Sequence, residues 1–84
     1  MKISWTATAW KDYLHWQSTD RKKLNRINEL VRSTLRDLFD GIGNPEPLKH
    51  DLQGYWSRRI DGEHRLVYSF VDDELLIVAC RYHY

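Results

Sequence analysis

The stretch Tyr55-Trp56-Ser57-Arg58-Arg59-Ile60-Asp61-Gly62-Glu63-His64-Arg65-Leu66-Val67-Tyr68-Ser69-Phe70-Val71 decides the fold. Residues 55–60 and 64–71 are strand-like runs, and Asp61-Gly62 between them is a strong hairpin signal. Residues 75–82 form a third such run after Asp72-Asp73-Glu74, a second tight turn. A three-strand meander is an antiparallel sheet with one face to cover.

The cover comes from upstream. Residues 3–5 read as a short first strand, and Thr6 suits a helix N-cap. Trp10, Tyr13, Leu14 and Gln17 follow at i, i+3, i+4 and i+7, so one helical face is mostly apolar. Ser18, Thr19 and Asp20 offer a break and a new N-cap. Leu24, Ile27, Leu30, Val31, Leu35 and Leu38 then repeat at helical spacing, and Gly41 is a natural residue to follow the helix end. Gly41, Gly43, Pro45, Pro47 and Gly54 mark an ordered loop before the hairpin. The expected order is β-α-α-β-β-β, with a two-helix hairpin packed on one face of an antiparallel sheet, an α+β fold.

The chain has 84 residues, which is one domain, spanning 1–84. A chain of this length buries only about 60–65% of its unfolded surface. Its four Trp, five Tyr and two Phe must therefore supply much of the core. With a single cysteine, Cys80, an internal disulfide and a Cys-based zinc cage are excluded. Cys80 itself lies in the most apolar run and reads as a buried small hydrophobe. That run, residues 75–80, is far too short for a membrane span, and the N-terminus shows no secretory stretch. A cytoplasmic location is expected.

Net charge is only +1, yet charge is segregated. Arg21, Lys22, Lys23, Arg26, Arg32 and Arg36 are accompanied between residues 21 and 36 by a single acid, Glu29. Such a run reads as a solvated helix face or as a nucleic-acid footprint. Four of the cations occupy the first turns of the helix, where the macrodipole disfavours them. That placement points to a role beyond stability, with Lys22, Lys23 and Arg26 as candidate RNA contacts.

Three separated places carry chemistry. In Pro45-Glu46-Pro47 the two prolines stiffen the backbone around one carboxylate, although such a sequence also makes ordinary surface turns. In the hairpin, a two-residue turn would set Arg65 opposite Arg58, whereas a bulge or three-residue loop would set it beside Arg59. Either arrangement places two guanidiniums on one face, suited to bidentate phosphate binding. At the chain end, Cys80-Arg81-Tyr82-His83-Tyr84 follows a strand directly. An imidazole there is suited to proton transfer near neutral pH, if the terminus is not simply frayed. His50, His64 and His83 lack the spacing of a metal site, and no Gly-rich phosphate loop is present, so no metal or cofactor is expected.

The blocks Asn44-Pro45-Glu46-Pro47-Leu48-Lys49-His50, Gly54-Tyr55-Trp56-Ser57-Arg58-Arg59-Ile60, His64-Arg65-Leu66-Val67-Tyr68 and Cys80-Arg81-Tyr82-His83-Tyr84 closely resemble the YoeB/Txe family of toxins, within the RelE superfamily of toxin–antitoxin systems. The likeness covers essentially the whole chain. It implies a microbial-RNase-like fold and ribosome-dependent cleavage of messenger RNA in the decoding site. Residue by residue, it implies Glu46 as general base, Arg65 as the phosphate-stabilising cation and His83 as general acid. Tyr84 would position the substrate or stack on a base, and Lys49, His50 and Arg59 would bind the RNA or stabilise charge. It further implies the ribosome and its RNA as partners, a YefM-like antitoxin and a homodimer. The chemistry is coherent on its own terms, because RNA carries its own nucleophile in the 2′-OH. Two other readings are a gyrase-targeting toxin of the same fold and a non-catalytic nucleic-acid-binding module.

Overall fold

The computed structural model describes residues 1–83. Its elements run β1 (Lys2–Trp5), α1 (Ala7–Thr19), α2 (Arg21–Arg36), β2 (Glu46–Pro47), a 3-10 turn (His50–Leu52), β3 (Trp56–Arg59), β4 (Arg65–Val71) and β5 (Glu74–Ala79). The strands form one five-stranded sheet in the order β1-β5-β4-β3-β2. The α+β expectation holds. The strands β2 to β5 are antiparallel, while β1 joins the far edge parallel to β5, so the sheet is mixed rather than wholly antiparallel. The helical crossover between β1 and the meander permits that parallel pairing.

Local chemistry explains the boundaries. Thr6 caps α1 by accepting from the Ala9 amide at 3.0 Å, and its hydroxyl donates to the Val78 carbonyl at 2.8 Å. Asp20 alone separates the helices. Its amide closes α1 on the Trp16 carbonyl, and its carboxylate caps α2 at the Lys22 and Lys23 amides. The second helix stops at Arg36, short of Gly41. Leu38 has helical spacing, but the backbone turns extended at Asp37, and the segment beyond is held from the sheet by Arg58. The Asp72-Asp73 turn joins β4 to β5 with φ of 53° and 59°, the pair of left-handed residues a tight hairpin needs.

The core lies between helices and sheet. Ala9, Trp16, Leu24, Ile27 and Leu30 pack against Ile60, Leu66, Tyr68, Leu75, Ile77 and Cys80. Leu66 and Tyr68 alternate with Arg65, Val67 and Ser69, so the sheet has a helix-covered face and an opposite, open face. Among the described residues no helix is long and apolar enough to cross a membrane.

Candidate active site

The hairpin register settles which arginine meets Arg65. Ile60 donates its amide to the His64 carbonyl at 3.0 Å, and Arg59 pairs with Arg65. The loop therefore holds three residues, Asp61 to Glu63, rather than the two-residue turn. The Asp61 carboxylate shapes it by accepting from the amides of Glu63 at 2.8 Å and His64 at 2.7 Å. Cross-strand partners share a face, so Arg59 and Arg65 stand together on the open side. Arg65 is oriented by its own loop: its Nη1 donates to the carbonyls of Asp61 at 2.7 Å and His64 at 3.0 Å.

Arg58 points the other way and is fully buried. Its Nε donates to Tyr68 Oη, its Nη1 to Ser33 Oγ and the Ile42 carbonyl, and its Nη2 to the carbonyls of Asp37 and Asp40. All five guanidinium donors are thereby engaged. Arg58 is an internal pin between the sheet and the loop after α2. Gly41 and Gly43 pack against it at φ of +119° and +85°, where a side chain would meet Ser33, Leu30 or Arg58 itself.

Glu46 sits on β2, which the sequence reading leaves as loop. It pairs with Ser57, and Ser57 pairs with Val67. Glu46 thus shares the open face with Arg59 and Arg65, one strand over. Pro47 is tolerated because β2 is an edge strand. A groove beside it is lined by Glu46, Pro47, Leu48, Lys49 and His50. Lys49 and His50 are both exposed there, with His50 left-handed at φ 58°.

The tail does not continue as a strand to residue 82. It leaves the sheet after Ala79 because α1 captures it. The Cys80 amide donates to Asp12 Oδ2 at 3.0 Å, and Trp16 Nε1 donates to the Cys80 carbonyl at 2.8 Å. The chain then turns at Tyr82, with φ of 62°. There the Tyr82 amide donates to His64 Nδ1 at 2.7 Å, and the Arg65 amide donates to the Tyr82 carbonyl at 3.1 Å. The backbone next to His83 is therefore fastened beside Arg65. His83 is exposed, and Tyr84 lies outside the described residues. Asp12, Trp16 and His64 hold this tail and are absent from the sequence-based candidates. Only the aromatic spacing of α1 and the position of His64 beside Arg65 hinted at them. Cys80 is buried as expected, and burial, with Asp12 nearby, pushes its thiol from an ordinary 9.0 up to about 12.

The basic helix divides. Lys22 is exposed, whereas Lys23 reaches inward to Asp20 and Asp61, each at 3.2 Å, and lies 5.6 Å from the centre of the Trp16 ring. Hydrogen bonds to Asp61 and then Asp20 raise the Lys23 ammonium above its usual range. Asp20 is lowered by the Lys23 backbone and side-chain donors. Burial pushes Asp61 upward, but the His64 and Glu63 amides and Lys23 outweigh it and hold the carboxyl below its usual range. Arg26 Nη2 lies 3.4 Å from the Arg59 carbonyl, so the start of α2 adjoins the end of the hairpin that carries Arg59 and Arg65. Among the described residues no three His, Cys, Asp or Glu side chains gather as a metal-holding group.

Comparison with known proteins places the chain in a family. Residues 5–84 match the model of the YoeB-like toxin of bacterial type II toxin–antitoxin systems. Toxin YoeB of Escherichia coli K12 is 60% identical over the full length of both chains. Toxin YoeB of Synechocystis is also 60% identical, over the whole of this chain and 98% of its own. Among solved structures, a YoeB/ParE toxin from Agrobacterium tumefaciens superposes with a TM-score of 0.97 at 49% identity, covering all of both chains. The YoeB dimer from Staphylococcus aureus superposes at 0.92 and 46% identity, over all of this chain and 98% of that one. A family model spanning nearly the whole chain and relatives of this similarity leave one assignment: the chain belongs to the YoeB-like toxins of bacterial type II toxin–antitoxin systems.

Proposed function

We propose that the chain is a ribosome-dependent messenger-RNA endoribonuclease that blocks translation in the cytoplasm. The observation that carries this reading is one juxtaposition. Arg59 and Arg65 pair on the open face, Glu46 stands one strand over on that face, and the Tyr82 carbonyl fastens the tail at Arg65.

Glu46 takes the proton from the 2′-OH of the nucleotide 5′ to the cut, and the oxygen attacks the adjacent phosphorus. Arg65, with Arg59 opposite, faces the charge that builds on the non-bridging oxygens. His83 protonates the departing 5′ oxygen, leaving a 2′,3′-cyclic phosphate. Each step uses groups of this chain, and no metal is called on. Lys49 and His50 line the groove beyond Glu46 and hold the strand, and Tyr84 positions the scissile nucleotide. The ribosome supplies an extended message. The exposed Lys22 and the half-buried Arg26 dock on ribosomal RNA. Lys23, tied to Asp20 and Asp61, contributes mainly by holding that helix start against the hairpin. The partners follow the relatives: YoeB–YefM complexes from Staphylococcus aureus and a YoeB dimer suggest a YefM-like antitoxin and a homodimer here.

The test is translation in vitro with purified protein and end-mapping of the message, with DNA cleavage by gyrase as a control arm. Glu46→Ala and His83→Ala should each slow cleavage by about 10²–10⁴-fold. A message with 2′-deoxy sugar 5′ to the cut should resist. Efficient cleavage of that message, or full activity of both variants, overturns the reading.

A further inference from the structure

We propose that His64 is a positioning residue that holds the C-terminal tail, and through it His83, in register with Arg65; this rests on the nuclease reading above. His64 is 5% exposed, although it directly follows the surface loop 61–63. Its ring lies edge-on to Trp16, with centroids 4.8 Å apart, and tilted to Tyr82 at 5.5 Å. Its Nδ1 accepts the Tyr82 amide at 2.7 Å. That bond requires the ring proton to sit on Nε2, where Glu63 Oε1 lies 3.6 Å away.

The geometry gives this contact a function that packing alone would not need. Tyr82 is left-handed, with φ of 62°, a conformation unfavourable for a non-glycine residue. Two backbone hydrogen bonds, to His64 and from Arg65, hold it there. His64 is covalently next to Arg65, so one residue fixes both the loop that orients Arg65 and the turn that delivers His83. The ring packs between Trp16 and Tyr82, the Asp61 carboxylate caps the His64 amide, and the same Trp16 donates to the Cys80 carbonyl. Removing the Nδ1 acceptor leaves the part-buried Tyr82 amide without this partner and a strained turn with one tether fewer.

Two variants test this with different structural cost. His64→Phe keeps the ring and removes the acceptor, while His64→Asn places an amide oxygen near the Nδ1 position. Separately, Cys80 permits semisynthesis of the full chain with residues 80–84 as a synthetic segment. An ester in place of the Tyr82 amide then removes the donor and leaves His64 intact. Because a displacement of about 1 Å can cost 10²-fold, kcat on programmed ribosomes should fall at least tenfold in the Phe variant and the ester. KM should stay within about threefold, and Asn should recover most of kcat. The Tyr82 amide should exchange with solvent faster in the Phe variant and near the wild-type rate in Asn.

Wild-type kcat in a folded Phe variant, or in the ester form, overturns the proposal. So does a Phe variant whose Tyr82 amide remains protected. If the Phe protein fails to fold, the ester decides alone. Wild-type protein and His83→Ala run alongside. Should wild type show no His83-dependent cleavage, the nuclease reading fails, whereas Tyr82 exchange still reports whether His64 holds the tail.

Discussion

Arg58 allows a sharp test of how this chain uses its cations. The side chain is fully buried and makes five hydrogen bonds, from 2.6 to 3.2 Å, to two hydroxyls and three carbonyls. A hydrogen bond to a charged group nets about 1.5–3 kcal/mol, but burying the guanidinium offsets much of that sum. Truncating it removes the donor to the carbonyls of Asp37, Asp40 and Ile42, some of which water can reach, and leaves Ser33 with only the Ile42 amide and Tyr68 with only the Leu38 carbonyl. Arg58→Met is therefore expected to cost about 3–5 kcal/mol, the range for breaking a buried charged network. In a domain of this size that lowers Tm by about 15–30 °C. Arg58→Lys keeps the charge but offers three donors from a point and should recover less than half. Circular dichroism melts and urea titration measure both. An Arg58→Met protein that melts within about 4 °C of wild type yet no longer cleaves would refute the internal-pin assignment and return Arg58 to the RNA-binding face.

Other expectations concern charge and pH. The Asp20–Lys23–Asp61 cluster should stabilise the fold between acid and alkaline limits. The lowered Asp20 and Asp61 make their contribution above about 3.8 and lose it as pH falls through their folded values. The raised Lys23 holds its contribution below about 10.5 and loses it as pH rises further. Lys23→Met should flatten both limbs in urea titrations across pH, and an unchanged acid limb would count against the cluster. Cys80 should lose stability earlier on the alkaline side, between 9.0 and about 12, and Cys80→Ala should remove that slope. In the folded protein Cys80 should resist iodoacetamide at pH 8 and react only in denaturant; stoichiometric labelling of native protein would contradict its burial. Reversing Lys22 alone to Glu should weaken ribosome binding and steepen no melt, whereas adding Lys23→Glu should also destabilise the fold.

The fold was legible where local chemistry and periodicity agree. Thr6 and Asp20 cap the helices as their side chains suggest, and alternation in β4 sets which residues face the helices. The open-face triad of Glu46, Arg59 and Arg65 was partly legible, since its members lie in strands or stiff turns. What sequence could not supply is any feature decided by a distant partner. The end of α2 depends on Arg58, 21 residues beyond Asp37. The end of β5 depends on Asp12 and Trp16, 68 and 64 residues before Cys80. The inward reach of Lys23 depends on Asp61, and it removes one residue from what reads as a uniform basic face. It also accounts for a cation in the first turn of α2 that the macrodipole disfavours.

One substitution distinguishes the loop that sets the site from the turn its sequence suggests. Asp61-Gly62 as a two-residue hairpin turn would need both residues left-handed, and glycine would then be required at position 62. In the three-residue loop Gly62 has no positive φ, and a Cβ added to it meets nothing within 4 Å. Gly62→Ala should accordingly change stability by no more than about 0.5 kcal/mol and leave cleavage intact. Gly54 is a built-in contrast. It too has open space, but its φ is +97°, so Gly54→Ala should cost about 1 kcal/mol or more through backbone strain alone. The pair separates conformation from crowding, since neither position is crowded. If Gly62→Ala proved as costly as Gly54→Ala, the two-residue turn would be restored. The register would then move by one residue, every side chain of β3 would change faces relative to β4, and Arg58 would replace Arg59 opposite Arg65.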